Sequence, residues 1–371
     1  MRIAIFHNFL DNIGGAEIVD LILARELGAD IYTTNIDKEK IKKMGFTTDN
    51  IYSIGKVPIN APFKQELSYR KFRRLDLGNK YDFYIIAGDW AMSGAINNKP
   101  NLWYIYSPIR EIWDYYEDTK NKIVPPWARP FFSIWSQYHR KLNQKNVKEV
   151  SSLIAISQNV SGRVKQYLGK DSIVIYPPTE TKKFYFQKNG DFWLSVSRLI
   201  THKRVDIQMK AFKEIPQEKL IIVGSYEQSR HFQAYARYIK KIKPDNVEIL
   251  SWVDNKRLID LYANCKGFIT TAKDEDYGMT PVEAMASGKP VIAPNEGGYK
   301  ETVIEGVTGR LINEINVDKL IAAIKEVGIN PAQYKDACLN QAAKFDTEIF
   351  VKKIKEQITV EKRKEQVSYA I

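Results

Sequence analysis

Two carboxylates, Glu275 and Glu283, stand eight residues apart in the C-terminal half of the chain, with a glycine between them. An apolar stretch that predicts a buried strand precedes them. Thr280 and Pro281 then predict the start of a helix, with the threonine as N-cap and the proline at the first helical position. The chain therefore runs strand, polar loop, helix, strand. In such a unit the loop and the helix start lie at the carboxyl end of the sheet, where ligands bind.

The backbone of this loop has the chemistry of an anion site. Free N–H groups around Gly278, Met279 and Thr280 point out of the helix start, and the helix dipole adds to their attraction for a phosphate. A carboxylate at each end accepts hydrogen bonds from vicinal hydroxyls, so that one suits a sugar and the other a ribose. A second interpretation stays open, because Thr280 and Glu283 also have the spacing of a capping box that only ties down the helix.

Three blocks of the C-terminal half resemble the donor site of retaining GT-B glycosyltransferases of family GT4. The first is similar to the family pattern of Glu, any residue, Phe, Gly, four residues and Glu, with Tyr277 in place of the phenylalanine. The second, Val196–Asp206, is similar to a strand-Arg-Leu-loop-Lys element, and its Lys-Arg-Val-Asp form resembles the mannosyltransferase-like branch. The third, 294–312, is similar to the Gly-Gly…Glu and Gly-x-Thr-Gly elements.

The resemblance implies a role for each matching residue. Arg198 and Lys203 would neutralise the donor diphosphate, although an ordinary surface charge is the alternative for both. With them, Glu275 completes the predicted catalytic set by binding hydroxyls of the transferred sugar, and Glu283 would bind the ribose. The predicted donor-binding residues are Gly14, Gly15, Arg198, Lys203, Gly224, Val253, Glu275, Tyr277, Gly278, Met279, Thr280 and Glu283.

Two motifs of the N-terminal half complete the predicted site. Gly14-Gly15-Ala-Glu appears in many GT4 proteins, where the glycines approach donor phosphates or acceptor, but a plain tight turn explains it equally well. The segment that begins at Tyr106 resembles a His-Thr-Pro-Met-Arg-x-x-Trp-Asp element, with tyrosine in place of the histidine. Tyr106, Arg110 and Asp114 are therefore acceptor-site candidates, and a buried structural pair of Arg110 with Asp114 is the alternative.

Strand and helix patterns alternate along the whole chain, which indicates an α/β protein. The resemblance implies the GT-B fold, with two Rossmann-like domains whose parallel sheets face each other across a cleft. We expect an acceptor-binding domain at 1–178, a nucleotide-sugar-binding domain at 190–346 and a helix at 347–371 that crosses back. The predicted strands are Arg2–Phe6, Asp30–Thr34, Phe83–Ala87, Leu102–Tyr106, Ser151–Ser157, Phe192–Val196, Lys219–Val223, Val247–Leu250, Gly267–Thr271 and Val291–Ala293.

Composition narrows the class of protein. The chain has 371 residues, 44% of them hydrophobic, which suits two domains. No apolar run reaches the roughly 18–20 residues that span a bilayer, and the first residues predict a buried strand rather than a signal peptide. The two cysteines, Cys265 and Cys338, have no metal-binding spacing. We therefore expect a cytoplasmic enzyme with no metal and no cofactor beyond the donor substrate.

The net charge of +12 indicates an anionic partner. Segments 62–75 and 125–140 interleave aromatic and basic residues, a composition suited to an anionic membrane surface. In the alternative interpretation the aromatic side chains are buried core and the charges a solvated rim. We predict peripheral association with the inner face of the cell membrane, and no nucleic-acid binding, because no nucleic-acid-binding module is visible.

These observations predict a retaining, metal-independent glycosyltransferase. It would move a hexose from a nucleotide-diphosphate sugar to a hydroxyl of a lipid-linked glycan or glycolipid, with GDP-mannose first among the donors and UDP-hexoses next. A nonhydrolysing epimerase of GT-B shape is the alternative. A nucleotide-binding oxidoreductase is disfavoured, because Asn8–Glu17 lacks the Gly-x-Gly-x-x-Gly spacing after the first strand.

Overall fold

The protein is described by a computed structural model that covers residues 1–12, 14–224, 230–251 and 253–369. The chain divides into two units. Unit 1 comprises Met1–Pro178 together with Glu348–Ile371, and unit 2 comprises Thr179–Thr347. Each unit contains one parallel β-sheet.

The sheet of unit 1 has seven parallel strands in the order β3-β2-β1-β4-β5-β6-β7. Its central strands are apolar and buried along their whole length, as expected for a parallel sheet with helices on both faces. The strands are β1 Ile3–Phe6, β2 Asp30–Thr33, β3 Ile51–Ser53, β4 Phe83–Ile86, β5 Asn101–Ile105, β6 Ser152–Ala155 and β7 Ile173–Val174.

Among the described residues of unit 1 up to Pro178, six α-helices alternate with the strands. A core cluster of Tyr69, Trp90, Ile109 and Ile112 packs between the helices and the loop after β5. The helices are α1 Gly15–Leu27, α2 Lys38–Lys43, α3 Phe63–Arg74, α4 Tyr116–Asp118, α5 Arg129–Asn146 and α6 Gln158–Leu168.

The sheet of unit 2 has six parallel strands in the order β10-β9-β8-β11-β12-β13. The strands are β8 Phe192–Val196, β9 Lys219–Val223, β10 Val247–Leu250, β11 Gly267–Ile269, β12 Val291–Pro294 and β13 Gly309–Ile312. The helices of unit 2 are α7 Val205–Glu214, α8 Arg230–Ile242, α9 Asn255–Asn264, α10 Met279–Ala286, α11 Tyr299–Thr302, α12 Val317–Ile329 and α13 Lys335–Ala343.

The last helix, α14 Thr347–Tyr369, begins where unit 2 ends and belongs to unit 1 from Glu348 onward. Three of its buried side chains, Phe350, Ile354 and Ile358, recur every four residues and so form an apolar face. The Phe350 ring lies 5.5 Å from the ring of Tyr104 on β5. Within the part of the chain that the structure describes, no helix has the length and apolar run needed to cross a membrane.

Each sheet reverses its strand order once. In unit 1 the chain runs from β1 outward to β3 and then returns to the other side of β1 with β4. In unit 2 it runs from β8 outward to β10 and then returns to the other side of β8 with β11. We call these two places, β1/β4 and β8/β11, the reversal points. Loops that follow the two strands of a reversal point diverge to opposite faces of the sheet and leave a crevice there.

The fold class predicted from the sequence is confirmed, and three of the predicted strands have the observed bounds. Those three are β8, β9 and β10, whose apolar runs are each bounded by polar residues. The strands β3, β7 and β13 were not predicted. All three are short and only partly buried, so that their apolar signal is weak.

We expect the buried face of α14 to contribute to the stability of unit 1. Ile354→Ala removes a fully buried side chain and should lower the free energy of unfolding by about 2–5 kcal/mol. Ile349→Ala, on the exposed side of the same helix, is the matched control and should cost far less. Urea unfolding of the two variants checks this, and equal losses would show that α14 does not anchor through this face.

Candidate functional site

The central contact of unit 2 joins the loops that follow the two strands of its reversal point. Lys203 ends a 3-10 turn after β8, and Glu275 lies in the loop after β11. The Lys203 Nζ donates a hydrogen bond of 2.5 Å to Glu275 Oε2. Both side chains are largely shielded from solvent. The structure therefore brings together two of the three residues predicted to be catalytic.

Arg204 fixes the position of Lys203. Its backbone is left-handed, with φ of 48°. Its side chain crosses to the β11 loop, where Nε donates to the Thr271 carbonyl at 2.7 Å and Nη2 donates to the Ala272 carbonyl at 3.1 Å. The guanidinium also forms an ion pair with Glu296. Arg204 was not among the predicted site residues, although the Lys-Arg-Val-Asp motif contains it.

The charge of Glu275 is set by its cationic neighbours. Burial would raise its pKa, but Lys203 first, and then His202 and Arg198, hold the pKa of this carboxyl below its ordinary value. Glu275 is therefore an anion at neutral pH and can accept hydrogen bonds from hydroxyl groups.

Two glycines after β12 press against the backbone of Glu275. The Gly298 N–H donates to the Glu275 carbonyl at 2.8 Å. Gly297 has φ of 60°, and a Cβ there would lie 2.4 Å from the same carbonyl oxygen. A Cβ on Gly298 would lie 2.5 Å from the Cα of Tyr277. Only glycine therefore allows the loops after β11 and β12 to approach so closely.

The start of α10 differs from the prediction. The N-cap is Gly278, with φ of 89°, so Met279 is the first helical residue and Thr280 the second. The predicted Thr280 cap, with Pro281 at the first helical position, is wrong because the left-handed turn at Gly278 begins the helix two residues earlier. A Cβ at Gly278 would lie 2.4 Å from the ring of Tyr299. The first N–H groups of α10 have no acceptor within the helix, as at any helix start.

Glu283 does not form the capping box. Its Oε2 accepts a hydrogen bond of 2.8 Å from the hydroxyl of Tyr262, which is fully buried. Burial raises the pKa of Glu283. The phenylalanine-like position, Tyr277, is buried and its ring lies 6.0 Å from that of Phe345. The predicted ribose contact of Glu283 stays a prediction.

The other predicted donor residues lie on loops at the same edge of the sheet. Arg198 is exposed after β8, and Gly224 directly follows β9, where a Cβ would lie 1.9 Å from the Ser197 carbonyl. Val253 lies between β10 and α9, while its neighbour Trp252 is outside the described residues. Among the described parts of the chain, no group of three or more His, Cys, Asp or Glu side chains has the geometry of a metal site.

In unit 1 the predicted glycines begin α1, the helix after β1. Gly14 is the N-cap and Gly15 the first helical residue. The Gly14 N–H donates to Glu17 Oε2 at 2.8 Å, so the acidic residue of the motif ties down the start of its own helix. At the reversal point itself, Asn8 after β1 donates to Asp89 after β4 at 2.5 Å.

A buried network lies beside these glycines. His7 Nδ1 lies 2.5 Å from Asp20 Oδ2, and His7 Nε2 lies 3.3 Å from Glu17 Oε1. Tyr106, an acceptor-site candidate, donates from its hydroxyl to Asp20 Oδ1 at 2.6 Å. This network was not predicted from the sequence. Its one available signal was Asp20, a charged residue on the apolar face of α1.

The other two acceptor candidates pair with each other. Arg110 Nη2 lies 2.7 Å from Asp114 Oδ2, and Arg163 approaches the same oxygen at 3.7 Å. The Arg110 guanidinium also lies over the Tyr115 ring, 3.8 Å from its centroid. The structure thus shows the partly buried ion pair that was the alternative interpretation, and an acceptor role for these residues stays a prediction.

Known proteins resemble the part of the chain that contains the reversal point of unit 2. Residues 178–345, which contain all the donor motifs of the C-terminal half, match the family described as glycosyl transferases group 1. This part of the chain is therefore similar to that family, and the resemblance to GT4 enzymes is confirmed. Relatives of the chain include mannosyltransferases.

Two curated relatives illustrate the similarity. An uncharacterized glycosyltransferase of Methanocaldococcus jannaschii is 28% identical over 196 residues, which cover 53% of this chain and 54% of that protein. The alpha-1,3/1,6-mannosyltransferase ALG2 of Dictyostelium discoideum is 33% identical over 141 residues, 33% of this chain and 34% of that protein. The chain thus spans about half the length of these relatives, or less.

A solved structure extends the comparison to both units. HepE of Anabaena, crystallised in complex with UDP and glucose, has a TM-score of 0.76 and 19% identity, and the match covers 97% of this chain and 100% of that chain. At this identity the match establishes the fold, which is GT-B, and nothing about the ligand of this chain.

Gly297→Ala should lower the free energy of unfolding more than an alanine substitution at another glycine with a similar left-handed backbone. Gly306 is the matched control, because its φ is 72° and a Cβ there meets nothing within 4 Å. Gly306→Ala should cost about 1–2 kcal/mol, the left-handed penalty alone. Gly297→Ala adds the clash with Glu275. Urea unfolding of both variants measures the difference, and equal losses would mean that the two loops separate without strain.

Proposed function

We propose that this protein transfers a hexose from a nucleotide-diphosphate sugar to an acceptor hydroxyl, with retention at the anomeric carbon and without a metal. The observation that carries the proposal is the Lys203–Glu275 pair at the β8/β11 reversal point, beside the N-terminus of α10. Cation, carboxylate and helix start together offer what a sugar diphosphate needs: positive charge for the phosphates and a hydrogen-bond acceptor for the sugar.

Each residue has a distinct part in the proposed reaction. Lys203 and Arg198 stabilise the negative charge that grows on the leaving diphosphate as the glycosidic bond breaks. Glu275 orients the sugar through its hydroxyls, and Glu283 holds the ribose. The N–H groups of Met279 and Thr280 complete the contacts to sugar and phosphate. The named functions of relatives support this assignment, since ALG2 is a mannosyltransferase and HepE binds UDP and glucose.

The acid–cation pair also allows both charges to be largely shielded from solvent. Two buried charges of opposite sign neutralise each other until the donor arrives. The diphosphate then competes with Glu275 for Lys203, which frees the carboxylate to accept hydrogen bonds from the sugar. A donor contact for Gly14 and Gly15, which begin α1 in unit 1, stays a prediction. GDP-mannose is the first donor to test, followed by UDP-hexoses.

The charge-removing variants Lys203→Ala and Glu275→Ala should each reduce hexose transfer about 10²-fold or more, the effect of losing one transition-state contact. Lys273→Ala, an exposed lysine on the same loop, is the matched control and should keep wild-type activity. Transfer is followed with GDP-mannose, UDP-glucose and UDP-galactose in EDTA, after calorimetry with GDP and UDP has identified the nucleotide that binds. Near-normal rates in both variants would overturn the site assignment. Donor epimerised without transfer would instead identify an epimerase.

We further propose that the acceptor is lipid-linked and that the protein binds the inner face of the cell membrane. The first of the two predicted membrane segments contributes little. On α3, Tyr69 and Phe72 are buried, Lys64 is paired with Asp11, and Arg70 is paired with Glu66. Two of the three aromatic side chains of segment 62–75 thus form core, as in the alternative interpretation, whereas Phe63 is 64% exposed.

The second segment presents a continuous exposed stripe. Positions three or four residues apart on a helix share a face. Such a series runs from the turn before α5 to the 3-10 turn after it, and each side chain in the series is exposed. We call this face the α5 stripe, and it consists of Trp127, Phe131, Ile134, Tyr138, Lys141, Lys145 and Lys148. Its first half is apolar, with Trp127 77% exposed and Phe131 and Ile134 each 69% exposed. Its second half is basic.

An anionic bilayer fits the α5 stripe better than a second copy of the chain does. A parallel pair of stripes would place lysine against lysine. An antiparallel pair would place lysine against the apolar half. A membrane surface accepts both halves at once, with the apolar side chains among the lipid chains and the lysines at anionic headgroups.

Phe131→Ser with Ile134→Ser should weaken binding to vesicles of phosphatidylcholine and phosphatidylglycerol at least 10-fold, because two exposed apolar side chains no longer enter the lipid. Ile329→Ser, which removes an isoleucine that is 84% exposed on unit 2, is the control. Co-sedimentation measures binding. Equal binding of all three proteins, or no dependence on phosphatidylglycerol, would rule out membrane contact through the α5 stripe.

A further inference from the structure

The two oxygens of the Glu283 carboxylate have different surroundings. Oε2 accepts a hydrogen bond from the Tyr262 hydroxyl at 2.8 Å, whereas Oε1 has no hydrogen bond or ion pair among the described residues of the chain. Glu283 lies one turn after Met279, the first residue of α10, and is partly exposed. A carboxylate oxygen has two lone pairs, so Oε1 can accept hydrogen bonds from a ligand.

The donor of this bond has a fixed position. Tyr262 lies on α9 and is fully buried. The centroid of its ring is 5.8 Å from that of Phe268 on β11 and 5.7 Å from that of Phe184. Because interiors are close-packed, rings on two sides hold the Tyr262 ring in place. Its hydroxyl therefore sets the direction of the Glu283 side chain within unit 2.

The same bond favours the accepting form of both groups. Burial raises the pKa of Glu283, and the hydrogen bond from Tyr262 acts in the opposite direction, because it stabilises the ionised carboxylate. Burial, and then the charge of Glu283, raises the pKa of the Tyr262 hydroxyl well above its ordinary value. The tyrosine thus stays a donor, and Glu283 keeps an oxygen that accepts.

A pre-oriented carboxylate suits a ligand with hydroxyl groups. A glutamate side chain has three rotatable bonds, and a ligand that must order them on binding loses affinity. The bond from Tyr262 orders the side chain of Glu283 in advance. The ribose of a nucleotide carries two adjacent hydroxyls that can donate to Oε1, whereas a dideoxyribose carries none there and would leave this oxygen unpaired.

We infer that Tyr262 is a positioning residue for the ribose of the donor, which holds Oε2 of Glu283 and leaves Oε1 to accept a ribose hydroxyl. The inference rests on the proposed function, in which Glu283 holds the ribose. It assigns the preference for a ribonucleotide to a side chain that, being fully buried, does not touch the donor. Tyr262 acts through the orientation of Glu283 alone.

The test measures ribose preference, which is the ratio of the dissociation constants of the 2′,3′-dideoxy form and the ribose form of one nucleoside diphosphate. Calorimetry on the full chain uses GDP or UDP, whichever the wild type binds. Wild type should prefer the ribose form about 10-fold or more, the effect of one hydrogen bond to a charged group. Tyr262→Phe keeps the ring and should lower the preference to about 3-fold or less, since Glu283 is no longer oriented.

Two comparisons separate positioning from stability. Tyr185→Phe is the matched control, because the Tyr185 hydroxyl donates to a carboxylate oxygen of Asp260 at 2.6 Å in the same unit, and it should keep the wild-type preference. Glu283→Ala should abolish the preference, and adding Tyr262→Phe should then change it no further. Each preference compares two ligands on one protein, so a reduced amount of folded variant does not affect it.

The outcomes distinguish this inference from the proposed function. A wild-type preference in Tyr262→Phe, even if both affinities fall, would show a purely structural bond and overturn the inference while leaving the donor site intact. A further change in the Glu283→Ala background would also overturn it. Wild type that binds GDP or UDP without any preference for ribose would overturn the ribose contact of Glu283 and this inference with it. Binding of neither nucleotide would overturn the donor site itself.

Discussion

Each sheet of this protein reverses its strand order at one place, and that constraint decides where chemistry can occur. Two neighbouring parallel strands end side by side, but their following segments leave toward opposite faces of the sheet. The backbone cannot fill the crevice, so side chains from the two loops must meet across it. In unit 2 Lys203 and Glu275 make that contact, and in unit 1 Asn8 and Asp89 make it. In unit 2 the Arg204 side chain and the Gly298 N–H then join these loops through hydrogen bonds to their carbonyl groups.

Both units keep a carboxylate largely out of solvent by placing a basic group beside it. A buried carboxylate is unfavourable unless a cation lies close by. In unit 2 the cation is Lys203, whose Nζ lies 2.5 Å from Glu275 Oε2. In unit 1 the His7 imidazole lies between Asp20 and Glu17, and these carboxylates raise the pKa of His7 to about 10. The lysine side chain is 15% exposed and the histidine side chain 4% exposed, so only the lysine is open to a ligand.

The sequence predicts the sheet of unit 2 and the donor motifs well, because their signals are local. The apolar runs of β8, β9 and β10 and the spacing of Glu275 to Glu283 lie within short windows. The start of α10 was placed wrongly because residue preferences favour a threonine cap, whereas Gly278 adopts a left-handed turn at a position where the Tyr299 ring leaves no room for a side chain. The network of His7, Glu17, Asp20 and Tyr106 could not be predicted, since it joins residues that only the order of β1, β4 and β5 brings together.

The path of the chain through the two units affects how the protein is made. Helix α14 buries Phe350 against β5, so unit 1 lacks part of its core until the residues of unit 2 have been synthesised. The two crossings lie side by side, with the Thr179 N–H bonded to the Phe345 carbonyl and the Thr347 N–H bonded to the Thr179 carbonyl. Unit 2 is thus one uninterrupted insertion whose two ends meet. During translation, all residues of unit 2 are therefore synthesised before the last residues of unit 1. For the same reason, unit 2 could be exchanged in a gene fusion as one continuous segment.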